Sequence, residues 1–173
     1  IAAPRRFAGK SMDDTDIQHL FSLRNEYRSL RYDLGNIRIL CEQLGSPQES
    51  FRSVLIAGTN GKGSVAQWLS AMLPEAGLYV SPHLERLNER ISIGGVEIGD
   101  LELGEVVRRV HQAASDASSR LLYPPTCFEL VTAAAFEYFR GRVDYAILEV
   151  GLGGRLDATN VVSQDVSLIT NFG

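Results

Sequence analysis

At 173 residues, 45% hydrophobic and 22% charged, the chain has the composition of one ordinary globular domain. A formal charge of −4 gives no electrostatic basis for binding nucleic acid or an anionic membrane. No apolar run approaches the ~20 residues that cross a bilayer, the opening Ile1 to Phe7 lacks a secretory apolar core, and the two scattered cysteines, Cys41 and Cys127, suit small core positions in a reducing cytoplasm.

Residues 1 to 12 read as a frayed terminus. From Asp13, acidic residues in the first turn and Ile17, Leu20, Phe21 and Arg24 on one side predict a helix. A second helix follows Asp33 and uses Ile37, Leu40, Cys41 and Leu44; Gly45 ends it and Pro47 prevents its return. Asp33-Leu34-Gly35-Asn36 is its starting turn.

Val54 to Ala57 is a short apolar run and predicts a buried parallel strand. Gly58-Thr59-Asn60-Gly61-Lys62-Gly63-Ser64 follows at once. Val65, Trp68, Leu69, Met72 and Leu73 then recur at the spacing of one helical face. A strand, a glycine-rich turn and a helix start together make an anion site, because backbone N–H groups converge there and the helix dipole adds roughly half a positive charge. Lys62 brings a full charge to a bound phosphate, and the Ser64 hydroxyl can face a phosphate-bound Mg²⁺. The spacing departs from the common phosphate-binding loop, since one residue separates Lys62 from Ser64.

Pro74 to Gly77 closes that helix, and Leu78-Tyr79-Val80 is shorter than a usual strand of ~5–6 residues. Ser81-Pro82-His83-Leu84 reads as a rigid loop, with His83 structural. Ile91 to Ile98 alternates around Gly94-Gly95 and predicts a hairpin that decorates the sheet. Val106, Val107 and Val110 mark a helix, and Ala113 to Arg120 reads as a loop. Thr126 and Glu129 fit a capping box for a helix that uses Phe128, Val131, Ala135 and Tyr138. Val143 to Val150 predicts a second buried strand that delivers Glu149 to its C-terminal end, where open α/β sheets bind ligands. A carboxylate buried there is costly unless it faces a cation, so Glu149 reads as a metal ligand, with a buried salt bridge as the alternative. Gly151 to Arg155 is a second glycine-rich turn; Arg155 is placed to meet a carboxylate or phosphate, or equally to pair with Asp157. Val166 to Thr170 is a third strand. These elements predict a three-layer α/β nucleotide-binding domain with a mostly parallel sheet.

Four blocks carry a family resemblance: Gly58 to Val65; Leu78 to Leu84 with Asn88 to Ile91; Thr126 to Glu129; and Ile147 to Asn160. In this order they resemble the folylpolyglutamate synthase and dihydrofolate synthase branch of the Mur ligase superfamily, from about Asp33 to the end. The resemblance implies ATP and Mg²⁺ as cofactors and glutamate ligation to a pterin carboxylate through an acyl phosphate. The substrates implied are dihydropteroate or tetrahydrofolate with L-glutamate, handled by a cytoplasmic, monomeric enzyme. Gly58, Thr59, Asn60, Gly61, Lys62, Gly63 and Ser64 would bind the nucleotide, with Lys62 catalytic. Ser64, Ser81 and Glu149 would hold the metal. Asp33, Leu34, Gly35, Pro82, Thr126, Phe128, Asp157 and Ala158 would line the pterin side. In that family about four more residues stand before Leu78, and omitted residues are expected there. A metal-binding histidine, a modified lysine and a glutamate-binding domain also follow in that family. Residues 1–173 therefore read as an N-terminal ATP-binding domain, apparently incomplete and inactive alone. The rivals are a UDP-muramoyl amino-acid ligase, against which the Lys62-Gly63-Ser64 spacing stands, and a non-catalytic nucleotide-binding module.

Overall fold

The apolar run after Phe51 forms β1, Arg52–Ala57, and the computed structural model, which describes residues 33–172, builds its sheet around that strand. The expected terminus at 1–12 and the helix from Asp13 lie outside the described residues. In chain order come α1 (Gly35–Gln43), β1, α2 (Lys62–Met72), β2 (Gly77–Tyr79), β3 (Ile91–Ile93), β4 (Val96–Glu97), α3 (Asp100–Asp116), α4 (Cys127–Phe139), β5 (Tyr145–Glu149) and β6 (Gln164–Ile169). They make one six-stranded sheet ordered β4-β3-β2-β5-β1-β6. Strands β2, β5, β1 and β6 run parallel, and β3 and β4 add antiparallel to β2 at one edge. The sheet is thus mixed but mostly parallel, as expected. The hairpin turns through Gly94 (φ 59°) and Gly95 (φ 79°), the positive-φ pair that a tight two-residue turn demands.

Helices cover both faces unequally. On one face α1, α3 and α4 bury a large cluster that includes Ile37, Leu40, Val106, Val110, Phe136 and Phe139. Cys41 and Cys127 are buried there, as expected, and burial pushes the Cys41 thiol up to about 12. On the other face α2 alone, among the described helices, covers Ile56, Leu78 and Ile147.

Two local expectations need correction. Helix α2 begins at Lys62, before Ser64, and its sheet-facing side is Ala66 and Ser70 with Val65 and Leu69 leaning in. Trp68 is 70% exposed and Met72 74%, so of the five-residue apolar face only Val65 and Leu69 pack against the sheet. Small residues let the helix lie close to the sheet, which rotates the bulky flank outward. Second, Ala113 to Asp116 is helical, the end of α3, because Ala113 and Ala117 are both buried beneath it. The segment before Ser81 is short, as read from the sequence. Gly77–Tyr79 forms a three-residue buried strand, parallel to β5 and antiparallel to β3.

That short strand depends on a glycine for space. A Cβ on Gly77 would meet the Phe139 ring at 2.8 Å, and Phe139 is fully buried with its ring centroid 6.0 Å from that of Phe51. We therefore expect Gly77→Ala to cost about 1–3 kcal/mol of stability through overpacking, read from the urea midpoint; an unchanged midpoint would show that the ring has room to move.

Candidate functional site

The C-terminal ends of parallel strands gather the site. Glu149 ends β5 level with Ile56 of β1, and the neighbouring β2 reaches the same height at Tyr79 opposite Leu148. The turns after all three strands therefore open into one crevice. After β1, Gly58 takes φ 133°, and a Cβ there would fall 2.1 Å from Thr170 Oγ1, so only glycine lets the turn leave the strand. Gly61 (φ 79°) caps α2, whose first turn is Lys62-Gly63-Ser64. The early start of α2 puts those three residues among the N–H groups that a helix leaves without intrahelical partners. The helix dipole adds positive potential at the same place.

Glu149 faces that turn. Its carboxylate accepts the Ser81 N–H at 3.0 Å and a further backbone hydrogen bond from Gly63. At only 6% exposed, it is held above the usual carboxylate range, chiefly by burial; the two N–H donors and the nearby Lys62 charge pull the other way. Gly63 has ordinary helical φ, and a Cβ there would sit 3.5 Å from the carboxylate, in ordinary van der Waals contact. The Lys62 ammonium donates to the carbonyls of Gly58 (3.0 Å) and Thr59 (3.4 Å), wrapping the turn around itself. Ser64 stands exposed on the first turn.

One carboxylate with nearby serines could hold Mg²⁺, which commonly takes one or two carboxylates and completes its octahedron with phosphate oxygens and water. Among the described residues no group of three or more His, Cys, Asp or Glu side chains forms an all-protein metal cage. The donor set at Glu149 therefore suits a cation that arrives with a phosphate.

The other half of the crevice is built on Phe128. Its ring lies over Gly151, where a Cβ would be 2.6 Å away, and its centroid is 6.2 Å from that of Tyr79. Thr126 caps α4 in the expected box: its Oγ1 accepts the Glu129 N–H at 3.2 Å, and Glu129 accepts the Thr126 N–H at 2.7 Å. Asp157 is buried and does not pair with Arg155, which stands exposed. Its carboxylate instead accepts N–H bonds from Leu152 (2.8 Å) and Thr159 (3.0 Å) and the Thr159 hydroxyl (2.6 Å). Burial nevertheless holds Asp157 above the usual carboxylate range. Ala158 is buried beside it. Asp33 accepts the Gly35 N–H, and a Cβ on Gly35 would strike the Leu122 side chain at 2.6 Å, so the 33–35 turn abuts the loop that leads to Thr126. Pro82, joined to Ser81 by a cis peptide, is exposed at the rim. His83 accepts from Arg90 Nε at 2.9 Å, in keeping with a structural role.

Two bracing residues escaped the sequence reading. Asn171 accepts the Thr59 N–H on its carbonyl and the Asn60 N–H on its side chain, both at 2.9 Å. Thr170 donates to the Asn60 carbonyl at 2.6 Å. Their only sequence signal is a polar pair at the C-terminal end of a strand, and the β1–β6 pairing that gives it meaning is not written locally.

The sign of the Glu149 shift makes a prediction. A carboxyl raised by folding costs nothing while protonated in both states, and its cost grows as pH rises from the ordinary carboxylate range through the raised value. Without Mg²⁺ or nucleotide, Glu149→Gln is expected to melt higher at pH 7, by ~2–4 °C per kcal/mol gained, and to lose that advantage near pH 4. A variant that melts lower at pH 7 would mean that the N–H donors and Lys62 outweigh burial.

No protein-family model matches the chain. It is 40% identical over 146 residues to the dihydrofolate synthase/folylpolyglutamate synthase of Bacillus subtilis, covering 81% of this chain and 34% of that protein. The folylpolyglutamate synthase of Mycobacterium tuberculosis, solved with ADP and AMPPCP, superposes with a TM-score of 0.79 at 38% identity over 91% of this chain and 37% of that one. A folylpolyglutamate synthase complex with AMPPCP and folate gives 0.81 at 36% identity, over 90% of this chain and 39% of that one. The chain, which spans about a third of the length of the relatives it matches, belongs to the folylpolyglutamate synthase/dihydrofolate synthase family.

Proposed function

We propose that residues 1–173 are the ATP-binding part of a ligase that joins L-glutamate to dihydropteroate, to a folate's terminal glutamate, or to both. The observation that carries this reading is the single crevice in which the Gly58–Ser64 turn, Glu149 and the Phe128–Asp157 group meet. In the first step a pterin-linked carboxylate oxygen attacks the γ-phosphorus of ATP, and ADP leaves. In the second the amine of glutamate attacks the acyl phosphate, and inorganic phosphate departs with the carboxylate oxygen. Such chemistry asks the protein for position and charge neutralisation rather than a nucleophile. This agrees with a crevice rich in backbone N–H groups.

Within it, Gly58, Thr59, Asn60, Gly61 and Gly63 offer backbone to the phosphates. Lys62 leaves the Gly58 and Thr59 carbonyls to neutralise the migrating phosphoryl group. Ser64, Ser81 and Glu149 would hold Mg²⁺, which supplies charge neutralisation at the phosphate oxygens. Phe128, backed by the buried Tyr79, offers aromatic surface to a flat heterocycle, and Asp33, Leu34, Gly35, Pro82, Thr126, Asp157 and Ala158 frame it. The relatives' printed names and the folate in one solved complex support the substrate class.

The test is ADP release by the full-length gene product with MgATP and L-glutamate, with and without dihydropteroate or tetrahydrofolate. Release requiring pterin and glutamate together is expected; release that ignores both pterins but follows a UDP-muramoyl substrate would redirect the assignment. In the same assay Lys62→Ala should lower kcat by at least about 10²-fold while the melting midpoint stays within about 2 °C, because the Lys62 hydrogen bonds go only to its own turn. Near-normal turnover of the folded variant would remove Lys62 from the chemistry.

A further inference from the structure

Asn36 is fully buried, a costly place for a carboxamide unless both its ends are bonded. Both are. Its Nδ2 donates to the Tyr123 carbonyl and its Oδ1 accepts the Leu122 N–H, each at 2.9 Å. The partners are 86 and 87 residues away in sequence, on the irregular stretch between α3 and α4. The Tyr123 hydroxyl donates to Glu129 at 3.2 Å, but from Leu122 onward the backbone of the stretch is held from outside it. Pro124 and Pro125 lack N–H groups, and beyond Leu121, whose N–H reaches Ala117, the backbone turns to Asn36 and then to the Glu129 cap.

Two segments of the crevice meet at this clamp. On one side of Asn36 is the Asp33–Gly35 turn, pressed against Leu122. On the other, three residues beyond Tyr123, the chain reaches Thr126 and the Phe128 ring that covers Gly151. Resting on the ligase reading above, we infer that Asn36 is a positioning residue that fixes the width of the pterin half of the crevice. It touches neither the Gly58–Ser64 turn nor Glu149. Its influence therefore falls on pterin affinity and leaves the nucleotide side alone, a separation that a residue serving only stability would not show.

Steady-state kinetics of the full-length protein tests this with Asn36→Ala and Asn36→Asp, each checked by thermal melting. Asn36→Ala removes both bonds and is expected to raise KM for the pterin about tenfold, the scale of one lost positioning hydrogen bond to a buried group. KM for ATP should stay within about twofold and kcat at saturating pterin within about threefold, on the scale of interactions left intact. Asn36→Asp keeps an acceptor for Leu122 and should show a smaller rise in pterin KM; it also carries the test if the alanine variant does not fold. Unchanged pterin KM in a folded variant, or ATP KM rising in parallel, would overturn the role of Asn36. If the wild type shows no pterin-dependent ADP release, the ligase reading itself fails, and the inference with it.

Discussion

Glu149 is the group on which the site geometry depends. A carboxylate so deeply placed is tolerable only because it accepts N–H donors from two other segments, Ser81 after β2 and Gly63 at the start of α2. It thereby ties the turns after three adjacent parallel strands to one point. The remaining cost of burial is consistent with a group kept for a cation rather than for stability, the usual bargain at a functional site.

The sheet makes that convergence possible. Parallel strands send all their C-terminal ends to one edge, so β1, β2 and β5 deliver a phosphate-type turn, a serine loop and a carboxylate to the same crevice. The unequal helical layers follow from the same sequence. Alanine and serine let α2 sit close over Ile56 and Ile147, which aims its N-terminus at Glu149. The larger cluster on the opposite face holds α4 in place and, through Thr126 and Phe128, the second half of the crevice.

Much of this could be read from the sequence because it rests on local chemistry. Lys62 and Ser64 after an apolar strand, Gly94-Gly95 between alternating residues, and Thr126 with Glu129 all act through neighbours a few positions away. The failures have equally definite causes. Trp68 and Met72 satisfied a helical period, but packing chose the smaller Ala66 and Ser70, and periodicity cannot distinguish a buried face from a bulky flank. Ala113 to Asp116 looked like a loop because its residues are small or polar, and only the small Ala113 and Ala117 are buried to anchor it. Asn36, Thr170 and Asn171 carried little local signal, since their partners lie 86 to 113 residues away.

The central claim is that this crevice brings the γ-phosphate of ATP to a pterin-linked carboxylate. The most direct measurement supplies the full-length protein with a pterin substrate labelled with ¹⁸O in that carboxylate, together with MgATP and L-glutamate. Mass analysis of the phosphate released then reports the path of the oxygen. Transfer of one labelled oxygen to phosphate for each amide formed is the predicted result. Phosphate free of label, with amide still accumulating, would contradict the account.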